Sequence, residues 1–233
     1  MDFFRFPRTP HIALLGESHV RGDKVLSPAE AREFLAHEVI VEEKVDGANV
    51  GFSVDAAGEL RAQNRGSFIS GETRHAQFKP LLPWMEERRE LLAQALAPHL
   101  MLFGEWCFAV HSIHYARLPD WFLVFDVYDR ARAEFWSAER RDALARQLRL
   151  SSVPRIVVGR FNLPGLQRLL GPSRLGENPA EGLHIRREEA DRLVARAKLV
   201  RPEFLHSIEK HWTRRPLETN SLAKVGLHAR EQL

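Results

Sequence analysis

The 233-residue sequence has a single cysteine, Cys107. An intrachain disulfide is impossible, and so is a zinc site built from several cysteines. A lone thiol fits a reducing compartment. No apolar run approaches the roughly 18 residues that a membrane-spanning helix needs. The opening, Met1 to Pro10, carries Arg5 and Arg8 but no apolar stretch of signal-peptide type. The expected location is therefore cytoplasmic, with no membrane partner. Internal repeats and low-complexity tracts are missing. So are GxGxxG and GxxxxGKS, which weighs against a Rossmann or P-loop enzyme. Charge of one sign is also lacking, since 34 basic against 31 acidic residues leave only +3. That excludes a polybasic coat but not a local basic groove. Lysine itself is scarce. Only Lys24, Lys44, Lys79, Lys198, Lys210 and Lys224 stand among the 34 basic residues, and the rest are arginine. Genomic base composition is the plain explanation. Yet a lysine can be deprotonated into a nucleophile and an arginine cannot, so each of the six merits inspection.

What is present is an ordinary globular composition, with 44% hydrophobic and 28% charged residues. This argues against disorder and for one large domain, or one domain with a short appendage. Ser27-Pro28 with Glu30 is a capping pattern and opens a helix to about His37. Val39 to Val45 alternates and is β-branched, as a strand requires. Asp46-Gly47 reads as a hairpin turn into a second strand, Ala48 to Val54. A third strand is expected around Glu59 to Gln63. Pro83 to Leu96 has helical periodicity. Leu100 to Phe108 and Trp121 to Tyr128 read as buried strands. Ser137 caps a helix to about Leu148. A short strand over Pro154 to Val158 and a short helix over Pro164 to Leu170 follow, then a loop from Gly171 to Pro179. Gly182 to Arg187 and Leu193 to Val200 read as a final strand pair, and Glu203 to Trp212 as a helix. Strands outnumber helices and strict βαβ alternation is absent, so the expected class is α+β with antiparallel sheets.

Several residues could carry chemistry. Lys44 stands at a strand end before a tight turn, where its amine can enter a cleft. Only about one lysine in a few thousand is neutral at pH 7, so a nucleophilic role needs the pKa lowered by burial or a nearby cation. The same position also suits a solvated strand end. Glu105 lies inside the apolar run Met101 to Phe108, and a carboxylate there needs a partner. His111-Ser-Ile-His114 has loose metal-ligand spacing without a third ligand and reads better as a structural pair. Cys107 reads as a buried small hydrophobe.

Six blocks occur in order: Lys44-Val-Asp-Gly47, Arg65-Gly66, Phe103-Gly-Glu105, Phe122-Leu-Val-Phe125-Asp126, Glu181-Gly-Leu-His-Ile-Arg186 and Arg196-Ala-Lys198. This set resembles the collinear motifs of the covalent nucleotidyltransferases, the superfamily of polynucleotide ligases and mRNA-capping enzymes. More narrowly, it is similar to ATP-dependent RNA ligases of the RNA ligase 2 type. The short interval from Lys44 to Arg65, Asn49 two residues after Gly47, and the compact chain support the narrower match.

The resemblance implies a nucleotidyltransferase domain over residues 1–200, with antiparallel sheets flanked by helices and an active site in the cleft between them. Residues 201–233 would form a short helical extension, too short for an OB-fold. It implies ATP as AMP donor with Mg²⁺ or Mn²⁺, and RNA carrying 3′-hydroxyl and 5′-phosphate ends as substrate. Lys44 would form a lysyl–AMP, the AMP would pass to the RNA 5′-phosphate, and the 3′-hydroxyl would displace it. Glu181 would place the metal and Lys198 would contact phosphate. Glu43 and Phe125 would line the adenine pocket, Glu105 would accept from the ribose, and Asn49 and Arg65 would lie near the ribose and the phosphate being joined. Asp46 holds the third place of the KxDG motif, where turn chemistry is an equal reading. Arg196 replaces the first lysine of a Lys-x-Lys pair and would also meet the nucleotide, keeping charge but losing the compact ammonium. His184 has no assigned role. Arg5, Arg8 and His11 could flank the site, and His211, Trp212, Arg214 and Arg215 could touch phosphate. Remaining readings are a DNA ligase or capping enzyme, disfavoured without an OB-fold, and a nucleotide- or RNA-binding module whose turnover is lost. RNA affinity supplied by a protein partner also fits.

Overall fold

Ser27 sets the first element. Its hydroxyl accepts from the Glu30 amide, and the Glu30 carboxylate accepts from the Ser27 amide at 2.7 Å. With proline at the start, this capping box fixes α1 over Pro28–Leu35. The computed structural model describes residues 3–16, 24–73, 75–207 and 216–224. In chain order after α1 come β1 (Val39–Lys44), β2 (Ala48–Val54), β3 (Leu60–Asn64) and β4 (Phe68–Ile69). A 3₁₀ turn (Ala76–Phe78), α2 (Leu81–Glu86), α3 (Arg89–Leu96), β5 (Leu100–Trp106), β6 (Phe122–Asp129) and β7 (Glu134–Phe135) follow. The rest are α4 (Ala138–Gln147), β8 (Ser151–Ser152), β9 (Arg155–Gly159), α5 (Leu163–Arg168), β10 (Gly182–Glu189), β11 (Arg192–Val200) and α6 (Pro202–Ser207).

These strands build two sheets. The smaller has the order β11-β10-β1-β9, and the larger β4-β3-β2-β5-β6-β7 with β8 on β6. All pairings are antiparallel except β6 with β8. The α+β class with antiparallel sheets is therefore observed. Strand alternation gives each sheet two unlike faces. Val39, Val41, Leu183, Ile185, Ala197 and Leu199 form one core with α1 and α5. Val50, Phe52, Leu102, Trp106 and Phe122 form another with α2, α3 and α4. The opposite faces carry Lys44, His184 and Lys198 on one sheet and Asn49, Glu105 and Phe125 on the other, and all six border one cavity.

Three expectations change. Asp46-Gly47 is not a hairpin turn, because β1 and β2 belong to different sheets. A Cβ on Gly47 would lie 2.7 Å from the Trp106 carbonyl oxygen, so the glycine serves a close backbone approach. The Pro83–Leu96 helix is two helices. The Arg88 side chain donates to the Trp84 carbonyl, while the Arg88 amide turns to Met85 instead. The extension after residue 200 is helical only over Pro202–Ser207 among the described residues. Residues 216–224 run as an extended strap, with Val110, Leu118, Asn220, Ser221 and Ala223 amides bonded between the strap and segment 108–118. His211, Trp212, Arg214 and Arg215 lie outside the described residues.

Away from the cavity, buried charges tie the two sheets together. Arg186 of β10 donates to Asp126 of β6 at 2.6 Å, and Arg141 of α4 donates to Glu42 of β1 at 2.6 Å. All four side chains are fully buried. Arg196 of β11 closes on the second Asp126 oxygen. Removing one partner of such a network strands the other charge. Arg186→Met is expected to lower unfolding free energy by about 3–5 kcal/mol. Arg61→Ala, which breaks an exposed pair with Asp55, should cost less than about 1 kcal/mol. Urea titration of both variants checks this, and equal costs would refute it.

Candidate active site

Lys44 ends β1 opposite Gly182 of β10. A Cβ on Gly182 would sit 2.2 Å from the Leu199 carbonyl oxygen, so only glycine lets β10 lie this close to β11. The preceding Glu181 is thereby brought to Lys44, with Nζ 2.6 Å from Oε2. The Lys44 side chain keeps 27% exposure, toward the cavity, while Glu181 keeps 6%. Glu105 approaches from β5, where it pairs in register with Asn49 and accepts from the Gly47 amide at 3.0 Å. Both Asn49 and Glu105 line the cavity, whose volume is about 340 Å³.

The charges around Lys44 decide its protonation. Burial presses its pKa down, but the Glu181, Glu105 and Asp46 carboxylates outweigh burial, and the net direction is upward. Burial pushes Glu105 up to about 8, with Lys44 opposing and Glu181 and Asp46 reinforcing. Burial likewise raises Glu181 to about 7. With no ligand bound, Lys44 is thus an ammonium held by acids that cannot all ionise together.

Asp46 faces away from the cavity wall. Its carboxylate accepts from the Ser112 and Ile113 amides at 2.7 and 3.1 Å, and its amide donates to the Tyr115 hydroxyl. Turn and loop chemistry is what its geometry shows. The loop it grips is gripped again from outside. Asn220 of the strap accepts from the Tyr115 amide and donates to the Cys107 and Ala109 carbonyls. Asn220 is 3% exposed. A strap residue, unremarkable in the sequence, thus holds the segment that holds the turn after Lys44.

The remaining candidates divide. Glu43 lines the cavity, yet its two oxygens accept from the Ser173 hydroxyl and the Arg174 amide, tying down the 171–179 loop. Burial raises its pKa. Phe125 lines the cavity with its ring edge-on to Phe6 at 5.3 Å. Its carbonyl accepts from Arg141 and Arg186. Arg65 is exposed at the cavity edge. Lys198 lines the cavity, and its main chain pairs with Pro10 and Ile12 of the amino-terminal segment. Arg196 does not line the cavity. Its guanidinium pairs with Asp126 and lies over the Phe6 and Phe135 rings at 4.9 and 3.9 Å. In the ligand-free protein that carboxylate and those rings are its partners. His111 is not paired with His114: its Nε2 lies 2.9 Å from the Gln77 amide oxygen. Cys107 is fully buried, and burial raises its pKa well above the ordinary thiol range.

Phe6, Thr9, Val45, Gly47, Val153 and His184 complete the wall. The Phe4/Phe6 alternation was a signal for a strand-like segment with one apolar face. Nothing in the sequence pointed to Val153. Among the described residues no three His, Cys, Asp or Glu side chains form a metal cluster. The donors at hand are the Glu105 and Glu181 carboxylates, hard oxygens that suit Mg²⁺ or Mn²⁺ completed by phosphate oxygens and water.

Two outcomes follow from this geometry. An acid whose pKa is higher folded than unfolded binds more protons in the folded state, so stability falls as pH rises through that window. For Glu181 and Glu105 the window runs from the ordinary carboxylate range to about 7 and about 8. The ligand-free protein should therefore melt at lower temperature at pH 8.5 than at pH 5.5, and Glu105→Gln should flatten that slope; an unchanged slope in the variant refutes it. Asn220→Ala should cost about 3 kcal/mol, since it leaves buried main-chain groups unsatisfied. Denaturant unfolding measures it, and a loss below about 0.5 kcal/mol would contradict the anchoring role.

The RNA ligase family matches residues 37–200. Comparison with curated protein sequences finds no match. Among solved structures, the Naegleria gruberi RNA ligase with PPi is similar at 19% identity and a TM-score of 0.60, over 88% of this chain and 64% of that one. A mutant of that ligase with ATP and Mn gives 18% identity and a TM-score of 0.61, over 87% and 64%. Another, with AMP and Mn, gives 17% and 0.59, over 88% and 64%. The chain thus spans under two thirds of these neighbours' length, and the likeness speaks for the fold. The match over residues 37–200 takes in β1 through β11, with Lys44, Glu105, Glu181 and Lys198, and on it the chain belongs to the RNA ligase family.

Proposed function

We propose that the protein is an ATP-dependent RNA ligase that works through a covalent adenylate on Lys44. The observation that carries this reading is one amine at the cavity wall, held 2.6 Å from a carboxylate whose pKa is about 7. In the first step Lys44 sheds one ammonium proton to solvent before attack, and its nitrogen sheds a second as the phosphoramidate forms. Neutral Nζ then attacks the α-phosphorus of ATP. A P–N bond forms, the bond to the bridging oxygen breaks, and pyrophosphate leaves with the electron pair. In the second step a 5′-phosphate oxygen of RNA attacks the same phosphorus and Lys44 leaves as amine, taking up a proton. In the third, a 3′-hydroxyl attacks the RNA phosphorus and AMP departs.

Each step moves negative charge at phosphorus, so fixed cations and alignment carry the catalysis. Lys198 and Arg65, in the cavity wall, are placed for phosphate oxygens. Phe125, edge-on to Phe6 and anchored through its carbonyl, offers a face to the base. Glu105 accepts from the ribose. Glu105 and Glu181 would hold Mg²⁺ or Mn²⁺, which supplies positive charge that neutralises the acids and favours the neutral amine. The Naegleria structures with ATP and Mn and with AMP and Mn support nucleotide and metal of this kind. RNA with 3′-hydroxyl and 5′-phosphate ends is the proposed substrate, and a protein partner adding RNA affinity fits the modest net charge of +3.

Incubation with α-labelled ATP and Mg²⁺ or Mn²⁺ should label the protein, and Lys44→Ala should remove the label entirely. Label persisting on the variant sinks the assignment of Lys44. No label on the unaltered protein sinks the ligase reading in favour of a binding module.

A further inference from the structure

We propose that Arg5 joins Arg65 in a two-guanidinium seat for a backbone phosphate of the RNA strand, at the rim of the cavity. The inference rests on the ligase reading for the identity of the polyanion. The amino-terminal segment is laced to the end of β3 by side chains. Gln63 donates to the Phe4 carbonyl at 2.7 Å, Arg65 Nη2 to the Pro7 carbonyl at 3.3 Å, and Arg5 Nε to the Arg65 carbonyl at 3.3 Å. The turn beneath is stiffened by the Asn64 side-chain oxygen, which accepts from the Gly66 and Ser67 amides. Arg5 and Arg65 are therefore held side by side, and both are exposed.

Their bonding differs from that of several other arginines. Arg61 meets Asp55, Arg88 meets Asp120 and Arg89 meets Glu86. Arg5 and Arg65 meet only main-chain carbonyls among the described residues. A carbonyl fixes a guanidinium without neutralising it. With five N–H donors each, most of their hydrogen-bonding capacity faces outward. Guanidinium forks of this kind match phosphate oxygens. Arg65 borders the cavity that holds Lys44 and Arg5 does not. A ligand wholly inside the cavity would have no use for Arg5. A strand whose end lies in the cavity and whose backbone runs out over the rim would use both. Arg5 also lies before the family-matched residues 37–200, so family membership does not assign it.

The test uses the full chain and a fluorescent 5′-phosphorylated RNA oligonucleotide, with affinity read by anisotropy across a salt series. Arg5→Ala is expected to weaken binding about three- to tenfold at low salt and to reduce the slope of log K against log salt by about 0.7, the value for one single-strand phosphate contact. Arg5→Lys should keep the slope, and Arg5→Glu should weaken binding further. Melting temperatures report that the variants are folded. Binding and slope identical to the unaltered protein in Arg5→Ala overturn the proposal, as does a failure of the unaltered protein to bind the oligonucleotide. The ligase reading is judged separately, by whether the unaltered protein takes label from ATP.

Discussion

The site depends on a buried charge network between the sheets. Asp126 on the larger sheet receives Arg186 and Arg196 from the smaller one, while Glu42 on the smaller sheet receives Arg141 from α4, which packs on the larger. Burying so many charges yields little net stability compared with an apolar contact of the same shape. Its value lies in allowing one arrangement. Each fork has fixed directions, so a shift of one sheet along the other strands a charge. Two guanidinia also converge on the carbonyl of Phe125, whose ring is in the cavity wall. The network that sets the sheet spacing therefore also sets that wall. A lysine offers neither the planar fork nor several donors in one plane. Whatever genomic bias lies behind the arginine-rich composition, at positions 141, 186 and 196 arginine meets a geometric need.

The Lys44 surroundings answer an opposite need. There the charges are left in excess on one side: one amine against Glu181, Glu105 and Asp46. Such a site is under electrostatic load without its ligand: burial pushes Glu105 up to about 8 and Glu181 up to about 7, and the neighbouring carboxylates reinforce it. In the ligand-free protein the load favours the protonated amine. An apolar pocket would push a lysine towards its neutral form; here the carboxylates push the other way.

Much of this was legible because local physics and global fold agree. The Ser27 capping box, the Ser137 cap and the alternation in β1, β2, β10 and β11 each specify an element and, with it, an inward face. Once β10 and β11 face inward at every second residue, His184 and Lys198 must share the cavity, and Arg186 and Arg196 must lie further along the same faces. The errors came where a residue's reason was tertiary. Gly47 is a glycine because Trp106 backs against it, and a local signal cannot distinguish that from a hairpin. Helix periodicity continues through Arg88, but its side chain takes a carbonyl that the helix needed. Asn220 carries no motif at all, and its three buried bonds exist only after segment 107–118 has formed.

Arg196 shows how a motif position can keep its charge and change its work. Alternation places it two residues from Lys198 on the same face of β11, so the spacing alone puts both on the cavity side. What separates them is the company each keeps. Lys198 is fixed through its main chain by the 10–12 segment and lines the cavity. Arg196 finds Asp126 on one side and the Phe6 and Phe135 rings on the other. A guanidinium sandwiched in this way is desolvated, and burial pulls its pKa down to about 10 despite Asp126. It is still charged at neutral pH, and its charge is matched locally by Asp126. Its effect on the site is transmitted through Phe6, which touches both Arg196 and Phe125. The amino-terminal segment therefore does two things at once: Phe6 completes the cavity wall and gives Arg196 a ring to lie against.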